Sequence, residues 1–584
     1  MFEFATLFLL KSLFFLHQDL FWLGVLSSGL LMAWNAGEDH PIKRIFYLIV
    51  GLVSFFPLAS YFAIPYAALL SDLHPKHSNL YLGAWGLCVI FGWAAVIFWL
   101  RYGVPAVDVL QEKVTRRTDL ERNKKTDVRE IAKHLPTEAL KFDPLKFIDK
   151  KCGVLLGLDE KKEPTYIEFG GGTSAPHVQV IGTTGAGKGV SLGVMASQFL
   201  ERDEAVFFCD PKNDEWAPSV MFDAAKRMGK PYAYLNLNRP NGPQFNLFEG
   251  TTEDEAFELF QAGFSLTEKG DASDFYGIED RAEAGKTAEL IARDNLTISQ
   301  AYSIRMSQLS SDDGGGEDVA KKFYGKLREM AMTPSINAKS GGVSLAKIIE
   351  GGGCVYVVGS MRNDIVKTAQ RILLVRLIQL CERRDRMAGE LRKVCVILDE
   401  VKYHLSRPAL EGLGAARDKG MHLVLAHQSL GDLKDCTKDL NPDAVVDAVV
   451  ENCRIKICYK VQSPVTAEWL AQMSGTIQVD DESRQVKKNL AQAETVEGAR
   501  SIRQADRYFI DENMLLNLPP QVSVLYGAGL PKFVSIQPLK VPKSPEAIRI
   551  VICESGMGKT AEDKLNELEV IEDAAADEGL PMLD

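Results

Sequence analysis

None of the ten cysteines, Cys88, Cys152, Cys209, Cys354, Cys381, Cys395, Cys436, Cys453, Cys458 and Cys553, stands in a C-x-x-C pair. Scattered singly through apolar runs, they suit reduced thiols in a cytosolic body and argue against a disulfide framework or a zinc site. No internal repeat is present, so the 584 residues have to fill two or three domains with sizeable cores. A basic excess is lacking too: 67 Lys and Arg stand against 78 Asp and Glu, a formal net charge of −11. That acidity is local. Ten acidic residues and two lysines fall between Glu554 and Asp584, so the remainder is near neutral and a nucleic-acid partner is not excluded. At the amino end no basic segment precedes the apolar run and no clear small-residue cleavage site follows it, so a cleaved signal peptide is not expected.

The most informative stretch is residues 176–191, PHVQVIGTTGAGKGVS. His177 to Ile181 reads as a buried strand and Val190 to Leu200 as a helix. Between them, Gly182, Thr183, Thr184, Gly185, Ala186, Gly187 and Lys188 have the spacing of a phosphate-binding loop, G-x-x-x-x-G-K. The chemistry explains the spacing. Glycines let the backbone curl into a nest of N–H donors, the helix directs its positive end at the phosphates, and the lysine adds a point charge. One element is missing. The Ser or Thr that usually follows the lysine and ligates magnesium is Gly189 here, and Ser191 lies two residues too late to replace it.

Toward the amino end, residues 45–70 and 78–100 carry no charge. Each run exceeds the ~20 apolar residues that span a bilayer. Lys43 and Arg44 flank the outer end of this hairpin, and Arg101, Lys113, Arg116, Arg117, Arg122, Lys124, Lys125 and Arg129 follow it. The positive-inside bias predicts that both ends and the large domain face the cytoplasm. Residues 1–34 are rich in Phe and Leu but interrupted by Lys11, His17 and Asp19. They read as a third span or an interfacial helix, completing a membrane domain at 1–102. Residues 103–150 read as a basic, mostly helical juxtamembrane stalk.

From Lys151 short apolar runs alternate with helical stretches, the pattern of a parallel α/β sheet. A second strand, Ala205 to Cys209, ends in Asp210-Pro211-Lys212, and a third runs from Tyr232 to Leu237. Strand character disappears over 251–345, which predicts an all-α insert dividing a nucleotide-binding domain into 151–250 and 346–545. Lys393-Val-Cys-Val-Ile-Leu-Asp399-Glu400 has the form of a Walker B strand. Its first acid can hold magnesium directly or through water, and its second can orient or deprotonate an attacking water. Arg417, in the loop Gly412 to Gly420, suits an arginine finger acting on a neighbour's nucleotide. Gln428, at the end of the next strand, suits a γ-phosphate sensor. Unaided, either residue reads more often as solvated surface.

The order GTTGAGKG, FFCDPKND, FNLFEG, VILDE, GAARDKG and LVLAHQSLGDL, behind a membrane hairpin and followed by LPPQVSVLYGAGLPKFV, resembles the type IV secretion coupling proteins of the TraD/TraG kind. The resemblance covers roughly residues 43–540. It implies a RecA-like P-loop NTPase domain with an all-α insert, forming a homo-hexamer at the bacterial inner membrane. It implies ATP and Mg2+ as cofactors. Single-stranded DNA with relaxase and relaxosome proteins, and the components of the secretion channel, are the implied partners. By resemblance, Lys188 contacts the β/γ-phosphates, Asp399 serves magnesium, Glu400 is the catalytic carboxylate, Arg417 the trans arginine and Gln428 the sensor. The chain departs from the pattern at Gly189, at Asn213 (where glycine is common after DPK), and in its extra apolar amino-terminal stretch.

Two other readings stay open. A chromosome-segregation type DNA translocase usually has more membrane spans, a long linker and a C-terminal DNA-reading module, none of which is evident. A nucleotide-gated docking receptor for protein effectors, with little ATP turnover, is kept open by Gly189. The acidic tail, residues 546–584, begins with a false phosphate loop, EAIRIVICESGMGKT, whose first glycine would fall at Cys553. A strand and a glycine turn are expected there, and then a solvating or docking arm.

Overall fold

The computed structural model describes residues 21–38, 40–63, 78–114, 128–129, 131–168, 175–238, 242–268, 273–311, 320–385, 387, 389–488 and 494–549, with Phe4, Ala5 and Phe8 besides. The chain divides into two compact units, residues 1–123 with 478–506, and residues 124–477 with 507–584. The segment 478–506 therefore falls outside the nucleotide-binding body in which the sequence pattern places it. It belongs to a long hairpin of two strands, Thr476–Lys488 and Glu494–Tyr508.

In the first unit, helices cover Phe21–Gly37, Pro41–Ala63 and Ser78–Phe98. The last does not stop near Leu100 as expected. It passes through a π turn at Trp99–Gly103 into a helix at Val104–Val114, so Arg101 lies within a continuous rod. Among the described residues, one stretch, Gly86–Val107, is long and apolar enough to cross a membrane by length and composition. Glycines bring two of these helices together. A Cβ added at Gly92 would lie 2.6 Å from the Gly29 carbonyl carbon, and one at Gly29 would lie 2.5 Å from the Cys88 oxygen. Such close backbone approach through small residues gains packing contacts without a hydrophobic driving force. Much of 1–20 and the stretches 64–77 and 115–127 lie outside the described residues.

The body is one sheet of eleven strands: β1 (Val154–Asp159), β2 (Pro164–Ile167), β3 (Val178–Ile181), β4 (Ala205–Asp210), β5 (Tyr232–Asn236), β6 (Gly353–Val358), β7 (Val394–Leu398), β8 (Met421–His427), β9 (Ile455–Cys458), β12 (Val522–Tyr526) and β13 (Lys532–Ser535), with β10 (Thr476–Lys488) and β11 (Glu494–Tyr508) pairing apart. The order is β2-β1-β13-β12-β9-β3-β8-β7-β4-β6-β5. From β9 to β5 every pairing is parallel, and from β12 outward every pairing is antiparallel. The parallel strands are buried on both faces, which accounts for near-continuous apolar runs such as Val394–Leu398.

Alternation along these strands feeds two cores. Phe207, Val355 and Val396 point to one face, and Phe208, Tyr356 and Ile397 to the other. Among the described residues the insert has no separate core. Leu259, Phe260, Ile291, Phe323 and Leu327 join the same cluster as Phe207 and Val355, and buried Arg376 donates to the Glu249 carbonyl at 2.6 Å and to Glu255 at 3.2 Å. The α/β sheet with helical insert is thus a single packed body.

Two expectations are corrected here. The stalk is helical only over Val104–Val114 among the described residues. Beyond it come 3-10 turns at Ile131–Lys133 and Pro144–Lys146, the second closed by Asp143 accepting from the Leu145 N–H. Of the strand and glycine turn expected over 546–560, only the first residues are described: Glu546–Ile548 is a 3-10 turn with the Ala547 carbonyl tied to the Tyr232 hydroxyl at 2.7 Å. Residues 550–584 lie outside the described residues.

Three buried histidines set the acid limit of this body. Burial pushes His177, His404 and His427 down to about 4. His427 Nδ1–H donates to the Ser429 carbonyl at 2.9 Å, leaving Nε2 to accept from the Gln179 amide at 2.8 Å. His177 likewise donates to the Leu413 carbonyl at 2.9 Å and accepts from the Leu423 N–H at 3.0 Å. Protonation would set two donors against each other at each ring. Because the unfolded value is 6.5, stability is complete above that pH and falls as pH drops toward 4. Each histidine should cost about 2 kcal/mol at pH 5. A thermal melt of the full chain is expected to show a clearly lower midpoint at pH 5 than at pH 7.5. An unchanged midpoint would contradict the neutral assignment.

Candidate nucleotide site

The phosphate loop leaves the carboxyl end of β3 and enters the helix Lys188–Glu201. Neighbours on several elements hold it. The Gly182 N–H donates to the His427 carbonyl at 3.2 Å, the Thr183 N–H to the Lys460 carbonyl at 2.9 Å, and the Gln521 N–H to the Ala186 carbonyl at 2.8 Å. Two glycines are required. Gly182 has φ +152° with Tyr459 Cβ 2.6 Å from where its own Cβ would stand, and Gly187 has φ +123° with Gln521 Cα at 3.1 Å. The helix starts at Gly187 with no side-chain cap, so its first N–H groups remain available to an anion. Thr183, Thr184, Gly185 and Ala186 form the turn itself.

Lys188 is buried, and its ammonium donates to the Gly182 carbonyl and, at 3.4 Å, to the Thr183 carbonyl. Burial lowers its pKa, with the Glu400 carboxylate opposing. Gly189 differs from its neighbours. Nothing lies within 4 Å of a Cβ added there and its backbone is not in the left-handed region, so the missing hydroxyl is not excluded by space. Ser191 does not supply it. It is buried, within hydrogen-bonding reach of the Tyr459 hydroxyl.

The carboxylates stand at the end of β7, one strand removed from the loop, because β8 lies between β7 and β3. Asp399 is half-buried and its N–H donates to the Cys209 carbonyl at 3.0 Å. Glu400 is buried and sits at φ +51°, a left-handed conformation that costs a residue with a Cβ about 1–2 kcal/mol. Its Oε1 accepts from Lys212 Nζ at 2.6 Å and from Gln428 Nε2 at 3.0 Å. Burial raises the Asp399 carboxyl, with Lys212 opposing. Burial pushes Glu400 upward too, but the bonds from Lys212 and Gln428 outweigh it and the net shift is downward. The contacts from Lys212 and Gln428 thus favour the ionised form of Glu400.

The structure brings Lys188, Asp399, Glu400 and Gln428 to one edge of the sheet. Arg417 is elsewhere. It lies in the last turn of a helix, Arg407–Asp418, not in a loop, because Ala409, Gly412, Leu413 and Ala416 form a buried helical face. It is exposed and near His177, at the amino end of β3. The seven residues of β8 separate it from Gln428, roughly 20 Å at the usual rise per residue.

Lys212 is the site residue that the sequence pattern left unassigned. Its ammonium lies 3.0 Å from Asp399 Oδ2 as well as 2.6 Å from Glu400. Buried Asp210 shapes the turn that carries it, accepting from the N–H groups of Lys212 at 2.7 Å and Asp214 at 2.6 Å and from the Tyr356 hydroxyl at 2.6 Å. Asn213 has φ +62° there. Asparagine tolerates the left-handed region better than most residues, which accounts for its standing where glycine is common. The available signal was DPK at the end of a strand, but its meaning depends on β4 pairing with β7.

The donor set fits magnesium nucleotide. Uncapped helix N–H groups and Lys188 suit phosphates, and a half-buried aspartate already facing a cation suits a hydrated magnesium ion. The room at Gly189 admits water in place of the usual hydroxyl.

Residues 393–520 match a family described as the TraM recognition site of TraD and TraG. Mobilization protein A of Escherichia coli is 28% identical over 344 residues, 57% of this chain; the chain spans 60% of the length of that relative. Among solved structures, the unbound bacterial conjugative coupling protein TrwBdeltaN70 is 16% identical with a TM-score of 0.48, covering 64% of this chain and 86% of its own. VirB4 of Thermoanaerobacter pseudethanolicus is 10% identical with a TM-score of 0.45, covering 69% of this chain and 99% of its own. Both scores lie below 0.5, so the strand order above, and not these superpositions, defines the fold. With the phosphate loop and the paired carboxylates on one sheet, and with residues 393–520 matching the TraM recognition site of TraD and TraG, the chain is similar to the conjugative coupling proteins of the TraD/TraG kind.

Proposed function

We propose that this chain is an ATPase of the bacterial inner membrane that recruits a relaxase–DNA substrate and drives it into a type IV secretion channel. The observation that carries the enzymatic part is Glu400. A buried, ionised carboxylate is held by Lys212 and Gln428 at the sheet edge where the phosphate loop opens. Such a group orients or deprotonates a water attacking the γ-phosphate. Lys188 and the loop N–H groups bind the phosphates, and Asp399 would hold magnesium, directly or through water. The bound ion neutralises charge that builds up on the phosphate oxygens.

Arg417 supports a ring. It is too far from the nucleotide loop of its own chain and exposed at the opposite edge of the sheet, where a neighbouring copy in a homo-hexamer would receive it. The apolar helix Gly86–Val107 suits an anchor that leaves the body in the cytoplasm. Single-stranded DNA in the ring would be held through its phosphates, so binding should weaken with salt.

Gly189 favours a second reading, a docking platform that binds ATP with little turnover. ATP hydrolysis by the full chain, with and without single-stranded DNA, separates the two. The expected result is measurable hydrolysis that DNA accelerates, with Gly189→Thr folding normally in the open space and changing the rate by less than about tenfold. Binding without turnover in the wild type, with turnover restored by Gly189→Thr, would replace the motor by the platform.

A further inference from the structure

The carboxylates of Asp399 and Glu400 are consecutive, largely withdrawn from water, and fixed by a left-handed backbone at Glu400. Two like charges so placed need a cation. Lys188 does not supply it, because its ammonium is engaged with the carbonyls of Gly182 and Thr183. Lys212 does, at 3.0 Å from Asp399 Oδ2 and 2.6 Å from Glu400 Oε1.

The placement is built, not incidental. Asp210 ties down the turn through two backbone N–H groups and the Tyr356 hydroxyl, and Tyr234 donates to Asn213 Oδ1 at 3.1 Å. The register of β4 on β7 sets Cys209 beside Leu398, so the turn emerges next to Asp399. The side chain itself is one-third exposed, and four methylenes let it leave without moving the turn.

We propose that Lys212 is a resident counter-cation that occupies the divalent-metal position of the carboxylate pair in the nucleotide-free protein. Magnesium arriving with nucleotide displaces it, and its three donors are then free for the terminal phosphate. The lysine thereby keeps free metal out of the site until nucleotide brings it, and meanwhile it offsets one of the two carboxylate charges. This inference rests on the reading of the site as a magnesium-nucleotide site.

The test is Mn2+ binding to the full chain without nucleotide, followed by electron paramagnetic resonance, for wild type, Lys212→Met, Lys212→Gln and the double variant Lys212→Met with Asp399→Asn. Both single variants should bind one Mn2+ at least about tenfold more tightly than wild type, and the double variant should lose that site. Thermal melts identify any variant that fails to fold, and the other single variant then carries the comparison. Single variants no tighter than wild type, or a gain that survives Asp399→Asn, would overturn the proposal. Binding of a fluorescent ATP analogue to wild type is measured in parallel. If the analogue does not bind while the Mn2+ pattern holds, the nucleotide reading fails and the counter-cation stands.

Discussion

Lys188→Ala is expected to weaken nucleotide binding at least about hundredfold, the usual scale for removing one partner of a buried charge-assisted contact, and to abolish hydrolysis. The lysine is 5% exposed and bonded only to loop carbonyls and not to a carboxylate. It therefore has to exchange carbonyl oxygens for phosphate oxygens when nucleotide enters. Among the described residues none is placed to take over its position in the loop: the Lys212 ammonium enters from the carboxylate side, on Asp399 and Glu400, and the loop N–H groups carry only partial charge. Equilibrium titration with a fluorescent ATP analogue checks this directly. Affinity within about threefold of wild type, in a variant whose melt is unchanged, would remove the phosphate-binding assignment of the loop, since one lost hydrogen bond already exceeds that.

Glu400→Gln should separate binding from chemistry. The amide oxygen can still accept from Gln428 and Lys212, so the left-handed turn and the packing around it persist. What disappears is the negative charge that takes or orients a proton. Nucleotide affinity should stay near wild type while turnover falls about 10²–10⁴-fold, the span usual for losing a positioned base. Single-turnover hydrolysis of bound ATP is the measurement. An equal loss of affinity and turnover would instead make Glu400 a strut for the loop, and a retained rate would transfer the role to Asp399.

Several features of this molecule are local and were readable along the chain. G-x-x-x-x-G-K encodes its own turn, because Gly182 and Gly187 are the residues that the backbone geometry and the neighbouring Tyr459 and Gln521 demand. Val394 to Leu398 announces a buried strand, and two acids at its end announce an edge where water and phosphate can meet. The helical face of Arg407–Asp418 was equally present in Ala409, Gly412, Leu413 and Ala416, but its glycines made the segment read as a loop.

Other features depend on residues far apart in the chain meeting, and no local pattern encodes them. Lys212 acquires its partners because β4 pairs with β7 across a separation of nearly two hundred residues, including the whole insert. Gln428 reaches Glu400 because β8 enters the sheet between β3 and β7. The insert shares a core with one sheet face because Phe260 and Phe323 meet Phe207 there. Composition alone could not distinguish that from a free-standing helical domain. The sequence by itself determined the strand-loop-helix that cradles phosphate, the apolar amino-terminal helices and the buried strand ending in two acids, since each follows from periodicity and backbone stereochemistry over a few residues. Only the tertiary structure decided which cation faces those acids, which glutamine reaches them and which arginine cannot, since register and strand order are long-range properties of the assembled sheet.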